Sequence, residues 1–412
     1  MTESYFLKIF GDRDLPDVKP PAQLASMEHS IVSLLLLLLL CVSPWQVTAP
    51  APAPANGTDG GGGGRPRVPA VLVFGDSIVD TGNNNAVMTL TRSDFRPYGK
   101  DLNGGVPTGR FSNGRVPPDL LASRLGLKDL VPPYLGTDIA DEDLLTGVSF
   151  GSGGTGYDPL TSTLVAVLPM QEELNMFAEY KQKLVEIAGD AAAARIVSES
   201  LFVVCAGTDD IANNYFLSPV RPLQYDISSY VDFLTQLAYD FIKQLHRQGA
   251  RRIAVLGMPP IGCVPSQRST AGAGDGVSDC DEARNRAARL FNAKLEQEIT
   301  CLKKTLQLQT IGYVDIYGIL DDMIADPGKY GFDVSTRGCC GAGMFEVTLL
   351  CNEVTATTFP ATADAAGRRG TPGFVFEVVT LFNEIATELC VYIEYLTTSI
   401  LPPSHVLACL LP

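Results

Sequence analysis

A serine that directly follows a short apolar segment has the setting of a nucleophile. Residues 70–74 are all apolar, Gly75 ends the run, and Ser77 follows. Such a run is typical of a strand buried on both faces of a parallel sheet, and ligands bind at the carboxyl ends of those strands. The free N–H groups at the start of a following helix can stabilise an oxyanion. Ser77 is therefore a candidate nucleophile, and a serine that only caps a helix is the simpler alternative.

Attack by a serine hydroxyl requires a base that removes its proton, and histidine is the usual one. Outside the N-terminal leucine-rich segment the chain has two histidines, His246 and His405. His246 ends a predicted helix that leads into a predicted strand, so we place it at the amino edge of the sheet, opposite Ser77. The residue three positions before His405 is Pro402 rather than an orienting aspartate. No general base is thus identified, and His405 remains as a candidate without a carboxylate partner.

Further apolar runs and helical stripes predict the elements that must position Ser77. Strand-like runs occupy residues 201–205, 252–256 and 311–315. Apolar residues recur at helical spacing within 174–188, 230–245 and 287–306. Strands that alternate with helices form right-handed βαβ units and a parallel sheet covered on both faces. We predict one three-layer, doubly wound α/β domain with a mainly parallel sheet over residues 70–352.

Ordered motifs in this domain resemble the plant-type GDSL esterases/lipases of the SGNH hydrolase superfamily. Residues 74–85, FGDSIVDTGNNN, are similar to the first block of that family. Four more segments match in order, namely 108–115 (TGRFSNGR), 147–156 (GVSFGSGGTG), 259–265 (PPIGCVP) and 339–352, which runs from Cys339-Cys340-Gly341 to Cys351-Asn352. Because five matches in the correct order are a specific signal, the chain is identified as a member of this family.

The resemblance implies an SGNH, flavodoxin-like fold and hydrolysis of carboxylic esters of lipids or related acyl substrates. It makes Ser77 the nucleophile, and by position it assigns an oxyanion-hole N–H to Gly154. It implies a small acyl ester or lipid as substrate, with no metal and no organic cofactor.

One departure from the family lies at position 209. The third block of the family usually reads Gly-x-Asn-Asp, with the Asn amide as an oxyanion donor, whereas this chain has Gly207-Thr208-Asp209-Asp210. A carboxylate accepts hydrogen bonds and repels a developing oxyanion, so only a protonated Asp209 can donate. Loss of one such donor typically costs about 2.7–4 kcal/mol, or roughly 10²–10³ in rate.

A second departure concerns the last block of the family, Asp-x-x-His-Pro, which is expected shortly after Asn352. Residues 353–373 contain no histidine. Since the resemblance makes that histidine the base, we expect this chain to be impaired. Two explanations stay open: a catalytically inactive secreted protein that binds an acyl or glycan ligand, or an active enzyme whose C-terminus is misread in the gene model.

The atypical tail 353–412 carries four glutamates within 374–401, which favours an amphipathic helix over a membrane span.

The N-terminal segments predict export from the cell. Residues 31–42 are apolar and contain seven consecutive leucines, and Val47-Thr48-Ala49 has the pattern of a cleavage site. We interpret residues 27–49 as a signal peptide, residues 1–26 as an upstream extension, and the Pro- and Gly-rich residues 50–69 as a linker. A buried leucine-rich helix is the alternative to the signal.

Composition and cysteine usage agree with a secreted globular protein. Hydrophobic residues are 46% and charged residues 19% of the chain, which favours a packed domain over disorder. The net charge of −15 argues against nucleic acid and anionic membranes as partners. Cysteines 339, 340 and 351 lack the paired spacing of a zinc site, so we predict disulfides, and Asn56-Gly57-Thr58 is a glycosylation sequon. Disulfide pairing and oligomeric state stay open.

Overall fold

The computed structural model describes residues 68–136, 138–270, 280–306, 310–330 and 335–336. The strands in this part of the chain are β1 (Val71–Gly75), β2 (Leu201–Cys205), β3 (Arg252–Leu256) and β4 (Ile311–Val314). The α-helices are α1 (Pro117–Arg124), α2 (Asp141–Thr146), α3 (Pro159–Val165), α4 (Met170–Ala188), α5 (Asp190–Glu199), α6 (Ile227–Arg247), α7 (Pro265–Thr270), α8 (Glu282–Thr305) and α9 (Tyr317–Ala325). Short 3₁₀-helices cover Asn83–Ala86, Ile261–Cys263 and Pro327–Tyr330, and a π-helical turn covers Asp210–Tyr215. The predicted signal and tail, residues 50–67 of the predicted linker, His405 and the segment 339–352 lie outside the described residues.

The four strands form one parallel sheet in the order β1-β2-β3-β4. A short segment extends this sheet along the other side of β1, because Phe150 N–H donates to the carbonyl of Val73 at 2.8 Å and Ser149 pairs with Val73 in parallel. All carboxyl ends therefore lie at the same edge of the sheet. The glycine-rich loop that follows Phe150 leaves the sheet at this edge, next to the end of β1.

Alternate residues of the strands face two separate cores. Phe74 belongs to the core under α4, α6 and α8, and its ring lies 5.7 Å from that of Phe177 and 5.9 Å from that of Phe241. Val73 belongs to the second core, where α1 and α9 supply Leu121 and Leu320. Strands that are apolar on every residue suit a sheet buried on both faces. The predicted three-layer α/β architecture with a parallel sheet is confirmed.

The helices follow the apolar stripes seen in the sequence. The predicted stripes 174–188, 230–245 and 287–306 fall within or against α4, α6 and α8. None of the described helices combines the length and apolar character needed to cross a membrane. Within the same residues, Cys263 and Cys280 form a disulfide, while the thiols of Cys205 and Cys301 are free.

Candidate active site

The turn after β1 requires glycine at position 75. Gly75 has φ 130°, which side-chain-bearing residues rarely adopt, and a Cβ there would lie 1.8 Å from the carbonyl oxygen of Cys205. This close approach lets the N–H of Asp76 donate to the same carbonyl at 3.0 Å. The chain then turns so that Ser77 is partly exposed while its neighbours Asp76 and Ile78 are buried.

Most backbone N–H groups of this turn already have acceptors. The Asp76 carboxylate accepts from the N–H of Ile78 at 3.0 Å, and the Asp76 carbonyl accepts from Val79 and Asp80 at 3.1 and 3.0 Å. The N–H of Ser77, in contrast, has no acceptor among the described residues. A free N–H next to a serine hydroxyl is available to stabilise an oxyanion.

The glycine-rich loop is held beside the serine turn by two side chains of the first motif. The Asp80 carboxylate accepts from the N–H of Gly153 at 3.0 Å, and the Asn84 amide donates to the carbonyl of Gly153 at 2.8 Å. Gly154 follows with φ 90° and partial exposure, and its N–H also lacks an acceptor within the described part of the chain. Within the described residues, Ser77 and Gly154 thus each carry an N–H without an acceptor, and both residues are partly exposed.

Asp209 lies at the same edge, after β2 and directly before the π-helical turn. Its side chain is partly exposed and accepts a hydrogen bond from the amide of Asn213. Burial raises the pKa of Asp209 to about 7, and the Asn213 bond offsets only part of this effect. The pKa of Asp76 is raised by its own burial and then by the charge of Asp209. With a pKa of about 7, the Asp209 carboxyl group exists in both protonation states near neutral pH.

Asp210, to which the sequence analysis gave no role, ties the glycine-rich loop to the end of β2. Its carboxylate accepts from the N–H of Tyr157 at 2.8 Å and of Asp158 at 3.2 Å, and from the Thr161 hydroxyl. A Cβ on Gly156 would lie 2.2 Å from this carboxylate, so the loop can approach only with glycine there. The two adjacent aspartates therefore differ in their contacts: Asp210 is buried and holds the loop, whereas Asp209 is partly exposed and bonds Asn213.

A family model described as GDSL-like Lipase/Acylhydrolase matches residues 71–348 of the chain. The chain belongs to this family. It is 51% identical over 294 residues to GDSL esterase/lipase EXL3 of Arabidopsis thaliana, an alignment that covers 71% of this chain and 80% of that protein. It is 46% identical over 289 residues to the Arabidopsis thaliana GDSL esterase/lipase At1g20120, covering 70% of this chain and 71% of that protein. By family, the protein is a carboxylic ester hydrolase.

Among solved structures, the chain is similar to a catalytic mutant of Axe2, an acetylxylan esterase from Geobacillus stearothermophilus. The likeness covers 62% of this chain and 80% of that one, with 14% identity and a TM-score of 0.29. A likeness of this size supports no statement about the site.

The GDSL domain holds its one described histidine far from the serine turn. His246 lies in the last turn of α6, shortly before β3 begins at Arg252. Because β3 is parallel to β1, the start of β3 marks the amino edge of the sheet, whereas Ser77 lies at the carboxyl edge. Burial lowers the pKa of His246, and the charge of Arg251 adds to this effect. The predicted position of His246 is confirmed, and no imidazole of the described residues lies at the edge that carries Ser77.

Proposed function

We propose that the protein hydrolyses carboxylic esters of lipids or related acyl substrates through Ser77. The Ser77 hydroxyl attacks the ester carbonyl, and the N–H groups of Ser77 and Gly154 donate to the oxyanion. The bond to the alcohol oxygen then breaks, and this oxygen takes up the proton that the Ser77 hydroxyl has lost. Water then cleaves the acyl-serine ester and regenerates the hydroxyl. The observation that carries the proposal is a partly exposed Ser77 whose own N–H, like that of Gly154, has no acceptor among the described residues.

An aliphatic acyl group as substrate is supported by the surroundings of Gly154. A Cβ built on Gly154 would lie 3.1 Å from a methyl of Val165 and 3.4 Å from that of Thr91. Val165 itself is 37% exposed, and the sequence neighbours Leu164 and Leu90 are 47% and 86% exposed. Covering exposed apolar surface with a hydrocarbon chain is favourable. When the carbonyl of an ester binds at Gly154, its acyl chain would contact the apolar rim formed by Val165 and Thr91.

Turnover by this chain is proposed to be slow. A serine without a base is a weak nucleophile, and removal of the histidine in subtilisin costs about 10⁶ in kcat. A negatively charged Asp209 would weaken the oxyanion site further. Both points rest on residues of this chain: Asp209 replaces the usual Asn, and the sequence from 353 to 373 contains no histidine.

Action outside the cell is part of the proposal. The leucine-rich N-terminal segment supports it, and so does the Cys263–Cys280 disulfide, because disulfides persist mainly in oxidising compartments.

A secreted protein that binds an acyl or glycan ligand without cleaving it is the second candidate. It is favoured by Asp209 and by the lack of an imidazole at this edge among the described residues. A fluorophosphonate probe and a short-chain aryl ester separate the two functions, with Ser77→Ala as control. A hydrolase shows labelling and hydrolysis that disappear in Ser77→Ala. Saturable acyl-ligand binding that is equal in both proteins, without labelling or hydrolysis, supports the second candidate and contradicts the first.

A further inference from the structure

A buried glutamate contacts the last residue of β1. Glu173, in the first turns of α4, accepts the N–H of Gly75 at 2.8 Å across 98 residues of sequence. Its side chain is fully buried. Glu173 therefore touches the backbone two residues before Ser77, although it lies in none of the family motifs.

The hydrogen bond replaces one that the sheet would otherwise make. Along this side of β1, Val73 N–H donates to the carbonyl of Val148, Phe150 N–H donates to Val73, and Ser152 N–H donates to Gly75 at 2.7 Å. Regular parallel pairing would next direct the Gly75 N–H to the carbonyl of Phe150. It points to the Glu173 carboxylate instead, at the place where the glycine-rich loop leaves the sheet.

Burial of the Glu173 carboxyl group in the core costs free energy. Burial raises the pKa of Glu173 well above its usual value, and the nearby Asp80 and Asp76 raise it further. Its second oxygen is buried without a hydrogen-bond partner, and among the described residues no cation pairs with it. A buried acid that gains a single bond is unfavourable for the fold alone, so the bond to Gly75 is the feature that accounts for its presence.

We propose that Glu173 is a positioning residue that fixes Gly75, and through it the turn that presents Ser77 to the ester. The Glu173 carboxyl oxygen holds the end of β1 on the side where the glycine-rich loop leaves the sheet. On the other side, the Asp76 N–H bonds the end of β1 to the Cys205 carbonyl of β2. A glutamine at 173 can accept the same hydrogen bond, whereas a methionine of similar size cannot. This inference rests on the proposed role of Ser77 as nucleophile.

The test compares Glu173→Gln and Glu173→Met with the full-length protein. The adjacent Glu172 serves as control, because it is exposed in the same helical turn and bonds only Asn175. Two readouts are used: the rate at which a fluorophosphonate labels Ser77, and hydrogen exchange of the amides in residues 70–80. Circular dichroism and thermal melting establish that each variant is folded at the assay temperature.

The proposed hydrogen bond predicts that Glu173→Met differs from the other two variants. Glu173→Gln and Glu172→Ala should keep the labelling rate within about threefold, while Glu173→Met should lose about 10- to 100-fold, since small misplacements of a nucleophile have effects of this size. Glu173→Met should also expose the Gly75 amide to exchange. Wild-type labelling in Glu173→Met, or loss of labelling in Glu173→Gln, would overturn the proposal. If Glu173→Met does not fold, Glu173→Leu replaces it with the same expected results, and loss of labelling in Glu173→Gln still overturns the proposal.

Failure of the proposed function gives a different pattern. If the wild-type protein is not labelled, Ser77 is not a working nucleophile, and hydrogen exchange still reports on Glu173. Faster exchange of the Gly75 amide in Glu173→Met but not in Glu173→Gln supports the positioning contact. Equal exchange in all variants refutes it.

Discussion

Replacement of Asp209 by asparagine tests both the electrostatics of the site and its chemistry. The substitution is nearly isosteric, and the new amide oxygen can still accept from Asn213. It removes a carboxyl group whose pKa is raised from 3.8 to about 7 by burial. The folded protein therefore binds a proton at Asp209 more strongly than the unfolded chain does. Stability falls as the pH rises from about 4 to about 7 and the penalty is complete above that range.

The size of the effect follows from the pKa difference. One pKa unit corresponds to about 1.4 kcal/mol, so the full difference sets an upper bound of about 4 kcal/mol. Because Asp209 is partly exposed, solvent screening reduces this to about 1–2 kcal/mol. Asp209→Asn should therefore be more stable than the wild type by about this amount at pH 8, and by less at pH 5.

Urea unfolding at pH 5 and pH 8 measures this stability difference, with Asp190→Asn as a control for the loss of one exposed negative charge. A variant that is less stable than the wild type at pH 8, or equally stabilised at both pH values, refutes the conclusion that a buried charge at Asp209 destabilises the fold.

The rate of Ser77 labelling is the second assay. Wild-type labelling should fall as the pH rises through about 7, because only the protonated acid donates to an oxyanion, and the asparagine variant should be about 10²-fold faster at pH 8. Slower labelling in Asp209→Asn would mean that the carboxylate acts as a base instead.

Three further substitutions test the elements around the site. Gly75→Ala should lose about 2–4 kcal/mol in urea unfolding, because its Cβ would meet the Cys205 carbonyl and its φ is unfavourable. Arg110→Ala should lose about 3–5 kcal/mol, since it leaves Asp119, 2.8 Å away, as an unpaired buried charge. Val165→Trp should slow labelling by long-chain alkyl fluorophosphonates about 10-fold more than by methyl probes, because Val165 lies at the apolar rim beside Gly154.

Each of these substitutions has an outcome that contradicts its premise. A Gly75→Ala protein of wild-type stability would show that the turn can move away from β2. If Arg110→Ala keeps the wild-type stability, the N–H groups of Val116 and Val131, which also donate to the Asp119 carboxylate, are sufficient to stabilise its charge. Equal slowing of long and short probes by Val165→Trp, with Leu223→Trp as an exposed control, would place the acyl chain elsewhere.

The amino-acid sequence by itself determined the layers of the fold and the position of the turn that carries Ser77. The apolar runs at 201–205 and 252–256 match β2 and β3 in full, and β1 is displaced by one residue. This succeeds because a strand buried on both faces must be apolar at every position, and an amphipathic helix must repeat every three to four residues. Such patterns are local, so they can be recognised without knowing what packs against them.

Only the tertiary structure decided which groups around Ser77 are bonded and which are free. Glu173 reaches Gly75 across 98 residues, Asp80 occupies the N–H of Gly153 and not that of Gly154, and the pKa of Asp209 depends on burial. No periodicity encodes these contacts, because a hydrogen bond between distant segments depends on how the loops pack at the edge of the sheet. The type of residue identified the chemistry of the site, while packing determined which N–H groups and carboxylates are available for it.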